Sequence, residues 1–186
     1  MDSPPERVGA LILLDPTILT PMGMFFMRMI QLFGGERGNP LAQRAMKRQT
    51  HFDSVESAYE KFKNKRLFAD WHDEAVRQYA ESMVPDGDKV RLAWSREWEA
   101  YFFKTLYTNT WNDIHDWAGR VPVLTLRGGN SDTFVPAAAR KMQRLMPEMT
   151  YKEIEGHGHL FPQSAPDATR DVIVAWLREQ GLMQQG

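Results

Sequence analysis

An unbroken apolar run, Val8-Gly9-Ala10-Leu11-Ile12-Leu13-Leu14, lies close to the start of the chain and stops at Asp15-Pro16. Without polar alternation such a run predicts a strand buried on both faces, as in a parallel sheet, and the proline ends it. From about Thr17 to Trp117 the apolar positions recur at helical spacing, and the whole stretch reads as helical. Met22 to Phe33 is dense in Met and Phe. Asn39-Pro40 opens a helix, with Asn at the cap and proline in the first turn. Asp53-Ser54-Val55-Glu56 has the form of a capping box opening a helix through Phe62. Asp73 to Met83 reads as a short helix stopped by Pro85-Asp86-Gly87. Ser95 caps a helix that repeats Trp98, Tyr101, Phe102 and Leu106, and Trp111 to Trp117 adds a turn or two before Gly119.

After Arg120 the pattern changes. Val121 to Arg127 predicts a second buried strand running into Gly128-Gly129, and Pro136 to Met146 a helix. Thr150 to Glu155 reads as a third strand, and Pro166 to Gln180 as a last helix stopping at Gly181. Strands alternating with helices at this spacing imply right-handed βαβ units and an α/β fold with a parallel sheet. Ligands of such sheets bind beyond the carboxyl ends of the strands, where Asp15, Asp132 and His159 all fall. An apolar first strand needs neighbours on both sides. The few residues before Val8 are too short to supply one, so a covering strand is expected from elsewhere.

Composition narrows the classes. The 186 residues carry a formal charge of −1, which argues against a nucleic-acid footprint or an electrostatic membrane anchor. The absence of cysteine removes disulfides, a thiolate nucleophile and Cys-ligated zinc. No apolar run is long enough to span a bilayer and no signal-peptide pattern is present, so a cytoplasmic location is the default expectation. No P-loop or dinucleotide fingerprint occurs, because Gly156 to Gly158 lacks the third glycine and the helix start. His157, His159 and Asp132 form one conceivable metal cluster and His72-Asp73-Glu74 another. Neither has the spacing of a helical zinc motif, and no metal or cofactor is expected.

The chemistry concentrates in two loops, Gly128-Gly129-Asn130-Ser131-Asp132 and Gly156-His157-Gly158-His159. A carboxylate that accepts a hydrogen bond from one imidazole nitrogen fixes the tautomer and leaves the other nitrogen to act as general base. Asp132 and His159 are the expected pair. The plainer alternative is a loop Asp capping the helix from Pro136 and a loop His facing solvent.

Three segments, in this order, resemble an α/β-hydrolase with a helical cap: Pro5-Glu6-Arg7-Val8 through Asp15-Pro16; Pro122-Val123-Leu124 through Gly128, with Ser131-Asp132; and Ile154 through Pro162, followed by Pro166 and Trp176-Leu177. The resemblance implies a partial parallel sheet of about three strands with a large helical cap insertion. It divides the chain into a core strand (1–16), a cap (17–118) and a C-terminal core (119–186). It makes Asp132 the catalytic acid and His159 the base, with His157 structural. Asp15 is a reserve acid, since some members draw the acid from that strand.

The family's nucleophile sits in a G-x-S-x-G elbow or its Asp variant. No Ser here has that setting, and the chain is expected to be an N-terminally truncated fragment, inactive alone. The intact enzyme would hydrolyse an ester or related bond in a small, mainly apolar molecule. Met24, Phe25, Met27 and Phe102 would line its pocket, although ordinary cap packing accounts for them equally. The alternatives are a non-catalytic small-molecule binder and an interaction module of the same fold. Self-association through an uncovered sheet edge is expected.

Overall fold

The computed structural model describes residues 8–33 and 39–184. Residues 1–7, which include Pro5 to Arg7 of the resemblance above, lie outside the described residues, as do 34–38, 185 and 186. The chain divides into two compact units: residues 1–24 with 109–186, and residues 25–108. The boundaries thus fall at 24/25 and 108/109, where the sequence placed them at 16/17 and 118/119.

The first unit is built on β1 (Leu11–Leu14), β5 (Val123–Gly128) and β6 (Thr150–Ile154). All are parallel, in the order β1-β5-β6, with Leu14 beside Leu126 and Gly128 beside Ile154. The connection from β5 to β6 is helical, through α7 (Pro136–Leu145), and after β6 come the short α8 (Phe161–Ser164) and α9 (Pro166–Glu179). Side chains alternate across the sheet as strand geometry requires. Leu11, Leu13 and Val123 face a cluster with Phe134, Ala138, Ala139 and Met142 of the α7 side. Ile12, Leu124 and Leu126 face the opposite cluster with Phe161 and Trp176 of the α8–α9 side. Every residue of β5 is buried, Thr125 and Arg127 included, so its polar positions do not mark a solvent-facing side. Ile18, Met24 and Ile114 extend the first cluster. Ile114 belongs to α6 (Thr110–Trp117), and Trp111 of the same helix donates its indole N–H to the Leu19 carbonyl at 3.0 Å.

In the second unit the wholly helical expectation is corrected. Between α1 (Pro21–Phe33, whose first turn belongs to the first unit) and α5 (Arg96–Lys104) lie three short strands. These are β2 (His51–Phe52), β3 (Val84–Asp86) and β4 (Lys89–Arg91), forming an antiparallel sheet in the order β2-β4-β3. Pro85-Asp86-Gly87, read as a helix stop, is one arm and the turn of the β3–β4 hairpin, with Gly87 at φ 63°. Strands of two or three residues are too short to show a period, so only tertiary pairing reveals them. The capped helices expected from the sequence are present, although α5 ends at Lys104, short of Leu106. Asn39 caps α2 (Pro40–Met46) by accepting from the Leu41 and Ala42 N–H groups. Ser54 opens α3 (Val55–Lys63) with a capping box, although the reciprocal partner is Ser57. Ser95 caps α5 through the Trp98 N–H. Phe52, Tyr59, Phe62, Phe68 and Val76 make a separate core, Val76 coming from α4 (Asp73–Glu81).

Candidate functional site

The carboxyl ends of β1, β5 and β6 lie side by side, and the residues that follow them make one polar cluster. Asp15 comes directly after β1. Its backbone N–H donates to the Leu126 carbonyl at 2.8 Å, prolonging the ladder. It is also the one non-glycine residue with positive φ among the described residues, at 47°. Asp tolerates the left-handed region better than most residues, but the position before a proline ordinarily favours extended backbone. Strain of this kind persists where surrounding contacts over-determine it, and here they do.

The Asp15 side chain is fully buried. Its Oδ1 accepts from the Gly128 N–H at 2.9 Å. Its Oδ2 accepts from the Ser131 hydroxyl at 2.5 Å and lies 2.7 Å from His159 Nδ1. Three donors therefore converge on a carboxylate that would otherwise be costly to bury. The sequence-expected pairing of Asp132 with His159 is not formed. Asp132 is exposed, and its one hydrogen bond among the described residues is a 3.5 Å contact from its neighbour Thr133. The physical reason lies in the loop. Ser131 turns inward, and the next side chain along the turn is directed outward.

That turn is held from several sides. Ser131 Oγ accepts from the Thr133 and Phe134 N–H groups at 3.1 and 3.2 Å, shaping the entry to α7. Arg127, only 3% exposed, reaches back over the loop. Its Nε donates to the Phe134 carbonyl at 2.6 Å, and its terminal nitrogens donate to the carbonyls of Gly129 and Ser131 at 3.0 and 3.2 Å. Glu153 of β6 supplies the counter-charge at 3.2 Å from Arg127 Nη1 and also accepts from the Tyr151 hydroxyl. Burial, and then the Glu153 carboxylate, push the Tyr151 phenol well above its ordinary range.

The histidine loop packs on the same turn. A Cβ at Gly128 would stand 2.1 Å from the Gly158 carbonyl oxygen, so only glycine permits this approach. Asn130 N–H donates to the His157 carbonyl at 2.9 Å, and Asn130 Nδ2 donates to the Gly156 carbonyl at 3.1 Å. His157 itself meets Ser164 Oγ at 2.8 Å through Nδ1, tying the loop to α8. His159 is about one-third exposed. With Nδ1 engaged by Asp15, its Nε2 makes no hydrogen bond to any described residue. An imidazole in that state can take a proton from a group brought to Nε2.

The described hydroxyls of serine are otherwise occupied. Ser54, Ser57 and Ser95 serve caps, Ser82 donates to the Tyr79 carbonyl, and Ser131 and Ser164 are bound as above. Among the described residues no group of three His, Asp or Glu side chains is placed to hold a metal ion. No described helix is long and apolar enough to cross a membrane. Of the expected pocket residues, Met24 is packed in the core of the first unit, 4% exposed, rather than on a cavity wall. Within the second unit Phe25 and Phe102 are exposed, while Met27 is half-buried with Sδ near Asn39. A cavity of about 610 Å³ does exist in the first unit, between Arg120 to Val123 and Met146 to Met149. It opens at the amino end of β5, the wrong end of a parallel sheet for the site.

Sequence reasoning ranked Asp15 second and missed Arg127 as a loop clamp. An arginine closing the strand run Val121 to Leu126 was the available signal, since a charged residue is almost never fully buried unless paired.

A model of the alpha/beta hydrolase family matches residues 4–172. No curated protein matches the sequence. Among solved structures, E-2-(acetamidomethylene)succinate hydrolase superposes with a TM-score of 0.71 at 20% identity, over 94% of this chain and 59% of that one. A peroxisomal alpha-beta-hydrolase of Saccharomyces cerevisiae gives 0.69 at 15% identity, over 98% and 49%. An esterase of M. tuberculosis gives 0.62 at 16% identity, over 94% and 56%. At these identities the likeness speaks for the fold. The chain spans between half and three-fifths of the length of these structures.

Proposed function

Because the chain belongs to the alpha/beta hydrolase family, we propose that it carries the acid and base of a hydrolase acting on an ester or related bond. Asp15 is the acid and His159 the base. The observation that carries this reading is the 2.7 Å contact between His159 Nδ1 and a fully buried Asp15 carboxylate. Asp15 holds the imidazole in the tautomer whose Nε2 is a base and stabilises the imidazolium that forms when it accepts a proton. Nucleophilic attack on the carbonyl carbon then gives a covalent acyl intermediate. The same imidazole returns its proton to the leaving group, and water completes hydrolysis by the reverse route. The attacking group is not in place among the described residues, so the reading requires a nucleophile from outside them. The relatives are named as hydrolases and an esterase, which supports a small-molecule substrate without fixing it. The 25–108 unit holds the position in chain order of the family's cap, and exposed Phe25 and Phe102 are its candidates for meeting an apolar substrate.

One observation favours a second reading, a non-catalytic binder or interaction module. No described hydroxyl approaches His159 Nε2. Ester turnover separates the two. In a polypeptide that also supplies the family's nucleophile segment, Asp15→Asn and His159→Ala are expected to lower kcat by about 10³–10⁴. Asp132→Asn should stay within a few-fold of the parent. An Asp132→Asn variant as impaired as His159→Ala, beside a nearly normal Asp15→Asn, would overturn the assignment of the acid. No hydrolysis of any short-chain ester by the unmutated polypeptide would favour the binder.

A further inference from the structure

We infer that Ser131, held by Arg127, is a positioning residue for the Asp15–His159 pair, and that this is what the loop after β5 contributes to the site. The inference rests on the acid–base reading above and adds a residue to it. Four observations support it.

First, the Ser131 hydroxyl and the His159 Nδ1–H bind the same oxygen, Oδ2 of Asp15, at 2.5 and 2.7 Å. Gly128 N–H holds the other oxygen. A carboxylate with both oxygens engaged cannot rotate about its χ2 without losing bonds. Its lone pair toward the imidazole is therefore fixed in direction.

Second, the direction of the serine proton is set. Ser131 Oγ accepts from two backbone N–H groups, Thr133 and Phe134. With its lone pairs so used, the hydroxyl proton is left for Asp15. Toward Asp15 the hydroxyl therefore acts as a donor.

Third, the serine is 5% exposed, so water does not readily replace it. Removing its hydroxyl would leave part of a buried carboxylate unsatisfied, with only one neutral N–H and the imidazole to hold it.

Fourth, the loop carrying Ser131 is fixed by a buried guanidinium that spends its donors on three loop carbonyls and Glu153, with no hydrogen bond or ion pair to Asp15. Arg127 thus shapes the turn without adding a direct ion pair to the acid, and Asp15 is left paired with the imidazole alone. The sequence motif at 128–132 is therefore functional through its fourth residue, while its fifth, Asp132, faces solvent.

The test uses the 186-residue chain itself and needs no turnover. Nuclear magnetic resonance reads the His159 Nδ1-bound proton and its exchange with solvent. In the unmutated protein a protected, downfield proton is expected, and Asp132→Asn should leave it unchanged. Asp15→Asn should remove it; if it does not, the acid–base pairing itself is wrong, whatever Ser131 does. With that pairing upheld, Ser131→Ala should speed the exchange of this proton by about tenfold or more, the size expected for a lost bond to a charged group. Ser131→Thr, which keeps the hydroxyl, should restore protection. Ser131→Cys offers a weak donor of similar shape and serves if the alanine variant does not fold. Wild-type protection in a folded Ala or Cys variant would overturn the inference.

Discussion

At the scale of single residues, the site depends on one carboxylate placed where backbone geometry is unusual and on one glycine placed where no side chain fits. Asp15 takes positive φ ahead of a proline, and the bonds from Gly128, Ser131 and His159 offset that strain. Gly128 matters for a different reason. Its Cα faces the Gly158 carbonyl so closely that a methyl group would overlap it. Gly128→Ala must push the β5 end away from the histidine loop, and neither backbone has slack. A loss of about 1–3 kcal/mol is expected, the usual range for overpacking, read as a lowered thermal midpoint. The same variant should loosen the His159 proton described above, because Gly128 N–H also holds Asp15. Legibility in the sequence was uneven here. His159 stood out because Gly-x-Gly-His follows a strand. Asp15 did not outrank Asp132, since both end strands and only the loop's turn decides which carboxylate points inward.

At the scale of elements, the chain shows how far local signals reach. Caps were legible because they are local: Asn39, Ser54 and Ser95 each bond to an N–H two or three residues ahead. Asn39 does one thing more that its neighbours in sequence do not reveal. Its Nδ2 donates to the Phe103 carbonyl at 2.8 Å, linking α2 to the end of α5 within the second unit. The two roles separate by substitution. Asn39→Ser keeps a capping oxygen and loses the Phe103 bond, whereas Asn39→Ala loses both. Chemical denaturation should show the alanine variant less stable than the serine variant by about 1 kcal/mol, the typical worth of a cap. Equal stabilities would mean the cap contributes nothing here. The three short strands of the second unit were not legible for the converse reason. Phe52, Val84 and Val90 sit in runs too short to show a period, and Pro85 and Asp86 are poor strand formers. Pairing across the hairpin, Val84 with Arg91 and Asp86 with Lys89, is what makes them strands.

At the scale of the whole molecule, the feature with the widest consequence is the outer edge of β1. Among the described residues β1 pairs on one side only, with β5, and its edge is apolar from Leu11 to Leu14. Unpaired apolar edges invite strand addition. The 186-residue chain is therefore expected to associate with rising concentration in sedimentation velocity. Leu14 is the strand residue most open to solvent, at 38%, so Leu14→Lys adds an edge charge at little cost to the core. That variant should shift the distribution toward monomer. Identical distributions for both proteins would place the association elsewhere, and a monomer at all concentrations would show the edge to be covered.

The sequence by itself determined the class of the fold and the order and nearly the bounds of the long elements, and it pointed to the two loops that the structure brings together beside Asp15. It could do so because burial periodicity, caps and glycine turns are short-range properties written in neighbouring residues. It also singled out His159, which follows Gly158 on the loop after β6, as the expected base. Only the tertiary structure decided which acid meets that histidine. Asp15 and His159 are separated by most of the chain and brought together by parallel pairing of β1 with β5 and β5 with β6. The choice rests on the inward turn of Ser131, the clamp of Arg127 and the contact between Gly128 and Gly158. The partners of Asp15 come from two other segments, the loops after β5 and β6, and that is why the carboxylate nearer in sequence, Asp132, was the natural expectation and Asp15 is the residue found beside the imidazole.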